Sequence, residues 1–293
     1  MEAKLYAALY QLVFSTAHPR RKREQFCDRW VMMIYLWSAV WGRPVSWACR
    51  TENWPASLDR PLASQSRMSR RLRTVGVSQL LERLLASVSE RFGTPMIKQV
   101  DSKPLTVGAY SKDEDARRGR IADGQFGRGY RLHAVSHGRI FRHFLVESLN
   151  TNDAAVGPQL LPKLEGGGGY VLGDNAYDSN DCHVAAASTG HQLVAPPRRA
   201  NKGKRDGKYN GPERLRGLDI IDGPLERCGV PSAFGEGLYN HRQQIESGFA
   251  GLTYCGLGAL PPWVRTPRRV ALWAAAKLLI YLTTQARKKG LMA

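Results

Sequence analysis

The chain has 293 residues, enough for one large domain or two modest ones with a real apolar core. Hydrophobic residues make up 43% and charged residues 23%, which excludes a disordered chain. The 43 Lys and Arg against 25 Asp and Glu leave a formal charge of +18, so polyanions are drawn in, nucleic acid first and an anionic membrane surface second.

The membrane reading fails on length. A spanning helix needs about 20 apolar residues. The runs Val31–Trp41 and Val270–Leu282, the latter interrupted by Lys277, read as buried helices of a globular core. No basic region precedes the first apolar stretch, Leu5–Phe14, so no secretory signal is expected. Five scattered cysteines with no CxxC pair argue against a disulfide framework or zinc site and fit a reducing cytoplasm.

Residues 1–93 read as a helical region. Met1–Ala17 is amphipathic and Gln25–Trp41 strongly apolar, while Ser78–Arg91 carries Leu80, Leu81, Leu84, Leu85 and Val88 at helical spacing. Between them Ser64 is a candidate N-cap, followed by Arg67, Arg70 and Arg71 on one helical face and then Arg73. Cations outward and aliphatics inward suit the recognition helix of a helix-turn-helix. A solvated basic face is the plainer alternative.

After Gly93–Pro95 the pattern turns to strands. Met96–Val100 is a short strand ending at Asp101. Tyr130–Ser136 and Ile140–Ser148 form a hairpin. Gly169–Gly173 is a buried strand ending at Asp174, and Gln192–Ala195 is a further short one. Helical pattern returns near Tyr239, and the last helix is marked by Thr266, Pro267 and Gly290. The stretch Gly211–Gly237 has no assignment. Arg117, Arg118, Arg120, Arg128 and Arg131 are expected in a loop after the first strand, and a further basic run covers Arg198–Lys208.

Asp101 and Asp174 each follow an apolar strand, where a carboxylate is costly to bury unless it is paired or binds metal. If Tyr239 through Leu252 is one helix, Tyr239, Arg242 and Glu246 share a face beside the stripe Ile245, Phe249 and Leu252. Taken alone, Arg242 and Glu246 are as well explained by a surface ion pair. Together, strand Asp, strand Asp and helix Glu give the layout of an RNase H-like site. Hard oxygen ligands favour Mg²⁺ or Mn²⁺.

On these residues the chain resembles the DDE transposases of bacterial insertion sequences, in the branch with a Y-x2-R-x3-E-x6-K signature. Tyr239, Arg242 and Glu246 match its first three letters, while Thr253 stands where the lysine belongs. Asp101 in Val-Asp-Ser-Lys-Pro and Asp174 in Gly-Asp-Asn-Ala-Tyr match the two aspartates, with Tyr177 three residues beyond the second.

The resemblance implies an α/β fold: an RNase H-like mixed sheet with flanking helices over residues 94–293, preceded by a helical DNA-binding region over 1–93. It also implies that Asp101, Asp174 and Glu246 are catalytic and hold two Mg²⁺ or Mn²⁺ ions, with Tyr239 and Arg242 steadying the DNA backbone. The expected partners are double-stranded DNA, as terminal inverted repeats and target, and a second copy of the chain on that DNA. The expected activity is cutting at the element ends and joining of the 3′ ends to target. Two alternatives stay open: a nuclease that cuts without joining, and a catalytically dead DNA-binding relic. Asp153 is the reserve ligand among the nearby acids.

Overall fold

The computed structural model describes residues 2–19, 25–56, 58, 60–198, 208, 210–222 and 233–292. In chain order the helices are α1 (Glu2–Ser15), α2 (Asp28–Val40), α3 (Val45–Ala48), α4 (Gln65–Arg71), α5 (Val75–Glu90), α6 (Asp153–Leu160), α7 (Asn180–Ala187), α8 (Pro212–Asp222), α9 (Ala233–Asn240), α10 (Gln243–Tyr254) and α11 (Pro267–Lys288). The strands are β1 (Ile97–Thr106), β2 (Arg117–Ala122), β3 (Gln125–His137), β4 (Ile140–Ser148), β5 (Gly169–Leu172) and β6 (His191–Val194).

The chain divides into two compact units. The helical unit comprises Met1–Phe92, Tyr254–Leu257 and Trp263–Ala293; the sheet-bearing unit comprises Gly93–Thr253 and Gly258–Pro262. The first break falls where the composition changes at Gly93. The C-terminal segment differs from the sequence expectation, which kept all of 94–293 together. Val270, Trp273, Leu278 and Leu279 of α11 are buried, and the helix packs against α5, α2 and α1. Its apolar stripe thus joins the aliphatic faces of helices far earlier in the chain, a partnership that periodicity along the chain does not reveal.

Within the helical unit, Ser64 caps α4 by accepting from the Arg67 N–H, as its residue type suggests. The helix is only seven residues long and turns at Leu72 into α5, which buries Val77, Leu80, Leu81, Leu84 and Val88. Among the described residues no helix is long and apolar enough to cross a membrane.

The sheet-bearing unit is mixed. β1 runs antiparallel to β3 and parallel to β5, β3 runs antiparallel to β4, and β5 runs parallel to β6. Leaving β2 aside, the order β4-β3-β1-β5-β6 with one antiparallel and one parallel half is the expected RNase H-like arrangement. β2 and the first residues of β3 form a hairpin where a basic loop is expected from sequence. Four of six β2 residues are Arg or Gly, so no apolar alternation marks it.

One sheet face carries Val100, Val135, Val171 and Leu193 against Leu160, Tyr177 and Cys182 of the α6–α7 side. The other carries Leu172 and Val194 against Leu238, with Ile97, Tyr170, Ile220 and Tyr239 around them. α10 lies against β4 through Phe249 and Phe141, whose ring centroids are 5.2 Å apart. Gly248 makes that approach possible: a Cβ there would stand 3.0 Å from the Phe141 ring. A helix-interior glycine that looks like a defect in sequence is a packing requirement in space.

Candidate active site

The register of the parallel strands brings the two aspartates together. Gln99 of β1 stands opposite Leu172 of β5. Two residues further along each strand direction are Asp101 and Asp174, so the carboxylates lie at the same level on neighbouring strands. β5 has ended by then, and Asp174 caps a 3₁₀ turn over Asn175–Tyr177 by accepting from the Ala176 N–H at 2.9 Å. Gly173 permits the tight exit, since a Cβ would come within 3.1 Å of Tyr177 and 3.2 Å of Val100. Asp101 accepts from the Ser102 N–H at 2.7 Å.

The third carboxylate arrives from α10. The single helix expected over Tyr239 through Leu252 is broken in the structure. α9 ends at Asn240, His241 and Arg242 form a turn whose N–H groups bond to Leu238 and Tyr239, and α10 begins at Gln243. Tyr239, Arg242 and Glu246 still converge, each from a different local element. Arg242 Nη1 is 3.5 Å from Asp101, and its Nη2 donates to Glu246 Oε1 at 2.8 Å. Its guanidinium also lies over the Tyr239 ring. The Tyr239 hydroxyl donates to the Gly173 carbonyl at 3.1 Å, tying α9 to the turn that carries Asp174.

The electrostatics single out the strand pair. Burial pushes the Asp101 carboxyl up to about 7; the Ser102 N–H opposes that, Asp174 and Asp153 reinforce it, and Arg242 offsets only part. Asp174 is also raised, by burial first and then by Asp153, against the Ala176 N–H and Arg242. Tyr239 is pushed up to about 12 by burial, with Arg242 opposing and all three carboxylates adding to the rise, so it remains a phenol. Two carboxylates with raised pKa and a short supply of cation are what functional clefts show.

A second layer was not read from sequence as part of the site. Asp153, at the start of α6, is 3.3 Å from Arg131 Nη1 and 3.0 Å from His133 Nδ1, and accepts from the Tyr177 hydroxyl at 3.3 Å. Burial alone would raise it, but His133, Ser102 and Arg131 outweigh burial and hold it below its usual range. Asp153, the reserve ligand of the sequence reading, is therefore committed to internal partners. The hint in sequence is Tyr177, three residues beyond Asp174.

Other expected residues are dispersed. Arg70 on α4 and Arg73 in the turn after it are exposed, but Arg71 turns inward to Asp28 at 2.5 Å, and Arg67 bonds to Gln25 and covers Phe26. The buried carboxylate of Asp28 needs a cation, and Arg71 supplies it, so Arg71 is not the outward contact expected. Arg117, Arg118 and Arg120 are exposed on β2. Arg128 and Arg131 belong to β3 and are spent internally: Arg128 donates to the carbonyls of Ala116, Ser111 and Asp113, and Arg131 to that of Arg120. Most of the basic run 198–208 lies outside the described residues. Thr253, at the signature's lysine position, donates to the Phe249 carbonyl at 3.0 Å within α10.

Among the described residues no three His, Cys, Asp or Glu side chains come together at metal-ligating spacing. Glu246 is held off by Arg242, which stands between it and Asp101. The donor chemistry nonetheless fits a hard divalent cation. Asp101 and Asp174 offer carboxylate oxygens at one level, and both are raised by burial first, with neighbouring acids adding to the rise.

A model of the transposase DDE domain matches residues 94–283. No curated protein matches the chain. Among solved structures, the cryo-EM structure of a piggyBac transposase synaptic complex with hairpin DNA has a TM-score of 0.48 and 12% identity, over 98% of this chain and 74% of that one.

Proposed function

The chain belongs to the transposase DDE domain family, and from that premise we propose that it cuts phosphodiesters at the ends of a DNA element and joins the freed 3′ ends to target DNA. The observation that carries this reading is the raised pair Asp101, on β1, and Asp174, just past the end of β5, with Glu246 and Arg242 beside it.

Asp101, Asp174 and Glu246 would hold two divalent ions, Mg²⁺ or Mn²⁺. When bound, such ions polarise the scissile phosphate and activate the attacking oxygen for an in-line displacement. The protein's own part is positional. Tyr239 fixes the Asp174 turn through the Gly173 carbonyl. Arg242 balances the carboxylates until DNA arrives, and its guanidinium then suits a phosphate of the backbone, which it can grip with two N–H groups. Release of Glu246 by Arg242 completes the oxygen set. Arg70 on α4, Arg73 just after it and the Arg117–Arg120 strand supply exposed cations for the flanking duplex. Terminal inverted repeats are the DNA sought, and synapsis of two ends calls for a homodimer on DNA.

Incubating the full chain with Mg²⁺, labelled duplexes carrying the element's own ends, and a target plasmid tests this. Joined product is expected. Nicks without joining would instead make the chain a nuclease, and binding without either would make it a catalytically dead DNA-binding protein.

A further inference from the structure

The helical unit contains a pocket of about 560 Å³, within the range of small-molecule sites. α2, α4, the segment after Arg43 and the start of α11 form its walls. Four of its lining residues are arginines, Arg43, Arg73, Arg268 and Arg269, and none is Asp or Glu. All four are exposed, and none is ion-paired among the described residues. Arg73 donates to the Ser69 hydroxyl at 3.3 Å, and Arg268 to the Arg73 carbonyl.

The first turn of α11 adds to this positive field. The N–H groups of Arg268 and Arg269 sit too near the helix start to reach a carbonyl four residues back, and the helix dipole favours an anion there. Thr266, just before, is held at φ 73°, a conformation that β-branched residues avoid. Strain of that kind persists where the surrounding structure fixes a local geometry.

The floor is aromatic rather than charged. Tyr35, Trp263 and Trp273 line the pocket. Trp263 is 40% exposed and offers an open indole face, whereas Trp273 is 3% exposed. The Trp273 indole N–H is buried and has no hydrogen-bond partner among the described residues.

We propose that this pocket binds a single nucleotide, with its base against Trp263 and Trp273 and its phosphate between Arg268, Arg269 and the first turn of α11. A bare phosphate would leave most of the volume unused. A base fills that volume, and its flat face stacks on indole whatever its identity. The nucleotide comes either from bound DNA, as an unpaired residue, or from the free pool. Only the first source rests on the DNA partner proposed above.

The full chain is titrated with three probes: a duplex carrying one unpaired 2-aminopurine nucleotide, the same duplex fully paired, and deoxyadenosine monophosphate. The unpaired probe should bind roughly tenfold tighter than the paired one, with quenching of its fluorescence on stacking. Trp263→Ala and Arg269→Ala, both at exposed positions, should abolish that preference while paired duplex changes by less than about twofold; Trp263→Phe should restore most of it. Monophosphate binding that also depends on Trp263 assigns the pocket to free nucleotide, and its absence assigns it to DNA. If the chain binds no DNA but still binds monophosphate through Trp263, the pocket stands and the DNA partner falls. Equal binding of both duplexes with monophosphate indifferent to Trp263, or displacement by inorganic phosphate alone, would overturn the proposal.

Discussion

Asp178 and Asp101 are both largely buried carboxylates of the sheet-bearing unit, but their surroundings treat charge in opposite ways. Asp178 is 1% exposed and accepts from Arg214 twice, at 2.7 and 2.6 Å, and from the Arg198 N–H at 3.0 Å. Arg214 is equally buried, and its remaining Nη1 donates to Asn210 at 2.5 Å. Burial would raise Asp178, but His183, Arg214 and the Arg198 N–H outweigh it and hold the carboxyl at about 2. Asp101 has one N–H, one guanidinium at 3.5 Å shared with Glu246, and two further acids nearby, and it stands at about 7. The first arrangement is closed and supports the fold. The second leaves negative charge unbalanced, which destabilises the fold and makes the place receptive to a cation.

That contrast is sharpest under mutation of the closed pair. Asp178→Ala strands a buried guanidinium, and such losses run to about 3–5 kcal/mol. Urea unfolding should show the free energy of unfolding in water falling by about that much. A change below about 1 kcal/mol would mean that Arg214 finds another partner and that the pair is not the anchor described.

A smaller effect of opposite sign is expected at Asp101. Its folded-state pKa lies above the ordinary value of 3.8, so the folded chain binds the proton more tightly than the unfolded one. Stability from this group is full below about 3.8 and is lost as pH rises through about 7. Asp178 runs the other way: its contribution is present above 3.8 and lost as pH falls through about 2. In chelator at pH 8, Asp101→Asn should therefore raise the melting temperature by a few degrees, and at pH 4 it should not. A lower melting temperature at pH 8 would show that the ionised pair is already balanced.

The legible and illegible parts of the molecule divide along the same line. Asp101 and Asp174 could be read because an apolar strand that ends in a carboxylate is locally anomalous. Glu246 could be read from its spacing to Arg242, though the helix assumed for it breaks at His241. The partner of Asp178 could not be read, since Arg214 lies 36 positions away in a stretch without pattern. β2 was hidden by its arginines and glycine, and the place of α11 by its separation from α5. Local chemistry marks where charge is out of balance, whereas the contacts that balance charge elsewhere depend on distant chain segments.

The most direct test of the central claim replaces one oxygen ligand by sulfur. Asp101→Cys places a thiolate where a carboxylate is proposed to hold the ion, and thiolates tolerate Mn²⁺ far better than Mg²⁺. Single-turnover cleavage of the element-end duplex should fall by roughly 10²–10⁴-fold in Mg²⁺ and recover substantially in Mn²⁺, while the unmodified chain cuts with both. Full activity of Asp101→Cys in Mg²⁺, or an equal loss in both metals, would contradict the assignment of Asp101 as a metal-holding carboxylate.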